Sequence, residues 1–252
     1  MSDWNSLVSL LPDDNPRSRI LLTTQLKVRE IKPSVKQIAP VVLQPLGSTG
    51  GTKDILKLFY RRAFGFGANG FHPRVMSDLS ERSLKISAGL PLAIVVLSGL
   101  LRTKNFGHEW NDVLEQLEES KGQPIRCLWA LAFEDLPHHL KSCFMYFAMA
   151  SDNILLDPDR LVRLWIAEGF VAPKKGKTLE EVGLGYLKQL ISRGLVQAVK
   201  DARGGIKFVS VHSLLHAFAE SESQESGFFE MHHHANVLKP HSVRRLALHN
   251  YI

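Results

Sequence analysis

T-L-E-E-V-G-L-G-Y-L-K-Q-L-I-S-R-G-L-V-Q-A-V-K-D-A-R-G-G-I-K-F-V-S-V-H-S (178–213) places a helix, a stop and a hairpin in one unbroken stretch. Thr178 with Glu181 three residues on is a capping box, so a helix starts at residue 179. It is expected to run to Arg193 and to stop at Gly194. The runs 195–200 and 206–211 flank D-A-R-G-G, a strong hairpin signal. In the second run Ile206, Phe208 and Ser210 alternate with Lys207, Val209 and Val211. Ser213 then reads as the cap of a further helix, because its oxygen can accept a backbone N–H. That leaves His212 at a strand-to-helix junction in apolar surroundings.

Working outward, Pro124 opens a block of short helices. Leu140, Cys143, Phe144 and Phe147 share one face, and Asp157-Pro158 supplies a cap and a first-turn proline for a helix stopped at Gly169. Short helices followed by a hairpin are the layout of a winged helix. Further back, Ile55, Leu58, Phe59 and Phe64 line one helix, and Val75, Met76, Leu79 and Ile86 line another. Trp110, Val113, Leu114 and Leu117 form an i, i+3, i+4, i+7 stripe. Residues 91–101 are apolar nearly all round and belong at the centre of a helical bundle. Residues 4–46 look like α/β: a helix over 4–11, an apolar strand over 19–24 and an extended run over 40–46. The strand has the composition of one buried on both faces, yet few partner strands are in sight. The fold class expected is mainly α, a helical bundle plus a winged-helix domain, with a small α/β segment at the N-terminus. The boundaries read as 1–46, 47–121, 122–222 and 223–252.

The 252 residues carry 44% hydrophobic and 22% charged residues, an ordinary globular composition. The formal charge of +6 is spread thinly. Its longest basic cluster is Lys174-Lys175-Gly176-Lys177, which argues against the concentrated stripe of a nucleic-acid binder. The longest apolar run, 89–101, is too short for a bilayer, which needs about 20 residues. M-S-D-W-N-S lacks the layout of a signal peptide. The two cysteines, Cys127 and Cys143, sit in apolar helical patterns and fit buried thiols of a reducing compartment. A cytoplasmic protein without membrane contact is expected.

Several chemical motifs fail on inspection. G-S-T-G-G-T-K (47–53) resembles a phosphate loop, but Thr52 separates Gly51 from Lys53 and no hydroxyl follows the lysine. No other stretch offers G-x-x-x-x-G-K-[ST]. Three adjacent histidines, 232–234, with His241 lack the separated positions that a metal site needs, so no metal is expected. No catalytic constellation stands out. A winged helix raises DNA binding, yet its reading helix would present Glu180 and Glu181 to phosphates and carries Leu184, Leu187, Leu190 and Ile191 for packing.

Several stretches together resemble the NB-ARC region of plant nucleotide-binding leucine-rich-repeat disease-resistance proteins. S-R-I-L-L-T-T (18–24) is similar to the family's sensor strand. L-Q-P-L followed by K-L-F-Y-R-R-A-F resembles the start of its helical ARC subdomain, and G-L-P-L-A (89–93) matches its most recognisable motif. L-A-F-E-D-L-P-H-H-L-K-S-C-F-M-Y-F-A and L-V-R-L-W-I-A-E-G-F-V resemble the winged helix of the coiled-coil class. V-R-R-L-A-L-H-N looks like the lead-in to the leucine-rich repeats. The resemblance implies an innate-immunity switch, held off by bound ADP and released by exchange for ATP. It implies that Pro91 packs on adenine, and that Val211-His212-Ser213 occupies the place of Met-His-Asp, where the histidine reaches a phosphate of ADP. The family's Asp is Ser213 here, which carries no charge to brace the closed arrangement. The sensor arginine is replaced by Gln25.

Set against that pattern, this sequence begins after the family's Walker B strand and stops before any repeats. It is therefore expected to be a truncated module that hydrolyses nothing and holds no cofactor, with ADP or ATP belonging to the intact family. Pro91 and His212 would be vestiges of a nucleotide site. Its partners would be proteins, full-length immune receptors among them. The alternatives are a nucleic-acid-binding winged helix and a gene-model fragment of a complete ADP-binding receptor.

Overall fold

Residues 91–101, P-L-A-I-V-V-L-S-G-L-L, contain no charge, and this all-round apolar composition suits a central helix. Proline pre-sets the first turn, and almost every other side chain is apolar whichever way it points. In the computed structural model, which describes residues 41–46, 53–64, 73–120, 122–152, 154–232 and 245–248, this helix is buried along Leu92, Ala93, Ile94, Val96, Leu97, Leu100 and Leu101. Each fully buried Leu or Ile contributes roughly 1.5–3 kcal/mol. The one hydroxyl inside, Ser98, donates to the Ile94 carbonyl of its own helix and is thereby satisfied.

The described helices run in order α1 (Lys53–Ala63), α2 (Pro73–Ser87), α3 (Pro91–Leu101), α4 (His108–Glu118), α5 (Pro124–Glu134), α6 (His138–Met145), a 3-10 turn (Tyr146–Met149), α7 (Pro158–Ala167) and α8 (Leu179–Ser192). The hairpin strands β1 (Gln197–Lys200) and β2 (Ile206–Ser210) follow, then α9 (Ser213–Glu225) and the short strands β3 (Glu230–His232) and β4 (Leu246–Leu248). The protein is mainly helical, a bundle with a winged helix, as its patterning predicts. Helices α1, α2 and α5 pack around α3, and α4 lies against α2 and α5. In the second half α7 packs on α8, and α9 on α6 and the 3-10 turn. One hydrophobic core joins the two halves, from Ile55 to Ala247.

Two predicted helix starts operate as read. Asp157 accepts from the Arg160 N–H to start α7, and Thr178 and Glu181 close a reciprocal capping box on α8. The stripe residues Trp110, Leu114 and Leu117 are buried, as are Leu140, Cys143, Phe144 and Phe147. One strand connection has no sequence signal. Leu156 exchanges both backbone hydrogen bonds with Val209, at 2.8 and 2.9 Å, giving β2 a second neighbour.

The chain divides into two compact units, Met1–Gln44 and Pro45–Ile252. The helix over 4–11, the strand over 19–24 and the loop over 47–52 lie outside the described residues. The expected extended run over 40–46 is corrected where it is described. Residues 41–46 form no strand, and Val41 and Leu43 are 83% and 90% exposed. Pro45 has no N–H to give to a ladder, and Leu46 donates instead to the Gly89 carbonyl in the turn between α2 and α3.

The two halves meet where α3 passes the end of α8. A Cβ on Gly99 would overlap the Arg193 carbonyl. Gly194, at φ +76°, is in the left-handed region that ends α8, and a Cβ there would lie 2.7 Å from Val95 Cγ1 and 2.9 Å from the Val95 carbonyl. Backbone therefore packs on backbone. Gly99→Ala is expected to destabilise the chain by about 2 kcal/mol or more, since neither backbone can yield without repacking the core. Gly185→Ala, in open space on α8, is expected to gain up to about 1 kcal/mol. Denaturant unfolding of the two variants checks both signs.

Candidate functional site

Val211, His212 and Ser213 form the passage from β2 to α9. His212 is the last extended residue, at φ −65° and ψ 142°, and it is the cap. Its Nδ1 accepts the Leu214 N–H at 3.2 Å, and its carbonyl accepts from the N–H groups of Leu215 and His216 at 2.8 and 2.9 Å. The expectation that Ser213 caps α9 is thereby corrected. Ser213 is already the first helical residue, and its hydroxyl lies 3.4 Å from the same Nδ1. Because Nδ1 accepts, the neutral form of the ring carries its proton on Nε2. Val211 is buried beside it.

One turn on, His216 is buried and its Nε2–H donates to the Ala150 carbonyl at 2.8 Å, tying α9 to the end of the 3-10 turn. Val211 and His216 line a cavity of about 10 Å³ with Phe147, Ala150, Ser151, Ile154 and Leu156. That is room for about one water molecule. It is not room for a nucleotide.

A second constellation has no counterpart among the expected site residues. Asp135 caps the end of α5, and its side chain is 13% exposed. One oxygen pairs with the Lys104 ammonium after α3, and the other with the Arg193 guanidinium at the end of α8. The Thr103 hydroxyl donates to that second oxygen at 3.0 Å. Burial alone would raise the Asp135 carboxyl, but hydrogen bonds from Lys104, Arg193 and Thr103 outweigh it and hold the group below the usual aspartate value. This cluster sits beside the Gly99–Arg193 contact, so one carboxylate joins the helical bundle to the winged helix at the point where their backbones touch.

Pro91 is exposed at the first position of α3, whereas His212 opens α9. The two helices pack on different elements, and among the described residues no hydrogen bond or ring contact joins their first turns. Gln25 and His233, His234 and His241 lie outside the described residues. Among the described residues no group of three or more His, Cys, Asp or Glu is arranged to hold a metal. Both cysteines are unpaired. Cys143 is buried, and burial pushes its thiol up to about 12. Cys127 is only half-buried, less than its apolar pattern suggests.

Residues 151–219, which span α7, α8, the hairpin and the V-H-S junction, match the family model described as the disease resistance protein winged helix domain. Putative late blight resistance protein homolog R1B-23 of Solanum demissum is 32% identical over 245 residues, covering 96% of this chain and 19% of the relative. The chain belongs to the disease-resistance protein family. Homolog R1B-16 of the same plant is 34% identical over 90% of this chain and 17% of its own length. Homolog R1B-14 is 33% identical over 90% and 17%. The chain thus spans less than a fifth of the length of these curated relatives. The likeness extends well beyond the winged helix, over the residues that build α1 to α5. No helix among the described residues is long and apolar enough to cross a membrane.

Two measurements probe this family's junction in the present chain. His212→Ala removes the acceptor at the start of α9 and should cost about 1 kcal/mol, while His212→Asn keeps an acceptor and should cost less. Thermal unfolding separates the two. For Asp135 the folded carboxyl is held below its unfolded value, so its contribution is complete above the unfolded value near 4 and is lost as pH falls through the folded one. Asp135→Asn should therefore be less stable than wild type near neutral pH, and the difference should shrink in acid. Urea midpoints across pH 3 to 7 test that sign.

Proposed function

We propose that this chain supplies the joint of a plant immune-receptor switch, in which a helical bundle and a winged helix are held in one relative arrangement and act through protein contact. The family membership of the winged helix, with V-H-S at its strand-to-helix junction, carries this reading. The Asp135 cluster supports it, because a carboxylate shared between two halves is the kind of contact that can be exchanged for another. The boundaries 47–121 and 122–222 are proposed for the two halves of the joint. A regulatory receptor function, not an enzymatic one, fits the family relation, and the cytoplasm is the compartment proposed.

Nucleotide chemistry is left to residues other than those described. Pro91 and His212 are proposed as vestigial contacts, with His212 Nε2 the group that would donate to a phosphate. A nucleic-acid role is disfavoured by α8. Val182, Leu187 and Leu190 are buried in the core, while its outer surface mixes Glu180 and Glu181 with Lys188. The exposed Lys174, Lys175 and Lys177 stand apart from it on the preceding loop.

Two experiments test the reading. Co-expressed with an intact receptor of this family, the tagged chain is expected to co-purify with it, and Asp135→Asn to weaken recovery. Absence of any association would overturn the proposal. Titration calorimetry of the purified chain with ADP is expected to show no micromolar binding, and tight binding would overturn the protein-contact reading.

A further inference from the structure

Strands β3 and β4 form a parallel ladder of three residue pairs, Glu230 with Leu246, Met231 with Ala247, and His232 with Leu248. A two-stranded ladder this short does not sustain itself in water, and parallel pairing is the weaker kind. Something must hold it to the body of the protein. Arg245, immediately before β4, is placed to do so. Its guanidinium carbon lies 4.4 Å from the centre of the Phe228 ring and 5.1 Å from that of Phe170. Its Nε donates to Glu168 Oε2 at 2.7 Å, and Nη1 to the Phe228 carbonyl at 3.3 Å. Its own carbonyl accepts the Glu230 N–H at 3.0 Å, which starts the ladder. The side chain is 9% exposed.

These partners come from separate parts of the winged helix. Glu168 caps the end of α7, Phe170 follows two residues later, and Phe228 lies just beyond α9. One side chain thus gathers the end of α7, the end of α9 and the strap formed by β3 and β4. The chemistry is specific to arginine. Its planar, weakly hydrated cation can lie against two rings while its edge meets a carboxylate, and a lysine ammonium cannot do both.

We propose that Arg245 is the catch of a strap that opens as a unit of its own, uncovering Phe170 and Phe228 without unfolding the winged helix beneath. The division follows from where the contacts lie. The core of α8 is built on Leu187 and Leu190, neither of which is among the partners that hold Arg245. Of the strap's described apolar side chains only Ala247 is buried, with Phe229 just before β3, and Leu246 is exposed. Regions so lightly held open below the global unfolding free energy. This inference is independent of the immune-receptor reading.

Hydrogen exchange read by mass spectrometry on the full 252-residue chain tests it. In Arg245→Ala, amides of residues 230–232 and 246–248 are expected to exchange about tenfold faster or more. Amides in α8 are expected to keep wild-type protection. Arg245→Lys, which keeps the charge and loses the flat stacking face, should fall between the two. Unchanged exchange in the strap of Arg245→Ala would overturn the proposal. So would an equal acceleration throughout α8, which would make Arg245 a general support of the fold. Wild-type exchange in Arg245→Lys would overturn the aromatic part of the catch.

Discussion

The contact of Gly99 with Arg193 lets two backbones meet without side chains between them, and the rest of the architecture depends on that approach. It brings the end of α8 against the flank of α3, the most buried of the described helices. Arg193 is thereby carried to Asp135, which also holds Lys104 from the loop after α3. A close backbone contact and a shared carboxylate thus act at one place, with different consequences. The backbone packing tolerates almost no added volume, because interiors are close-packed and relax little. The carboxylate contributes less to stability, since its partners also gave up water to reach it. What it adds is direction. Asp135 accepts from both halves at once, and a turn of one half against the other would part it from one of its cations.

That division of labour bears on how a switch could be assembled from such parts. A joint made only of apolar packing slides over many near-equivalent arrangements, while a charge cluster selects one. The V-H-S junction is simpler still. One imidazole caps its own helix through Nδ1 and keeps Nε2–H for another acceptor, so a single residue both fixes local structure and presents a donor. Ser213 brings no charge to this junction, and the cap does not depend on that position, because it rests on His212.

Legibility from the sequence follows the range of the interaction. Caps, stops and the apolar periodicity of α3 to α9 are local, and Asp157, Thr178, Glu181 and Gly194 act within a turn or two of their place in the chain. They can be read directly. The run at 40–46 misleads because β composition reports only a surface that suits pairing, and no described strand runs beside it. Ser213 misleads as a cap because a histidine in that role is uncommon, and the hydroxyl one position on matches the familiar preference. Asp135 gives no signal within E-D-L-P, where an acidic residue after a helix looks like any solvated loop carboxylate.

The sequence by itself determined the helices, the hairpin and the family, because periodicity, capping and motif order need no knowledge of what lies across the chain. Only the tertiary structure decided which groups became partners: Asp135 with Lys104 and Arg193, Leu156 with Val209, and Arg245 with Phe170, Phe228 and Glu168. Each of these is a pairing between segments distant in sequence. Its strength depends on desolvation and on geometry within an ångström, neither of which a residue's identity can specify before the core has closed around it.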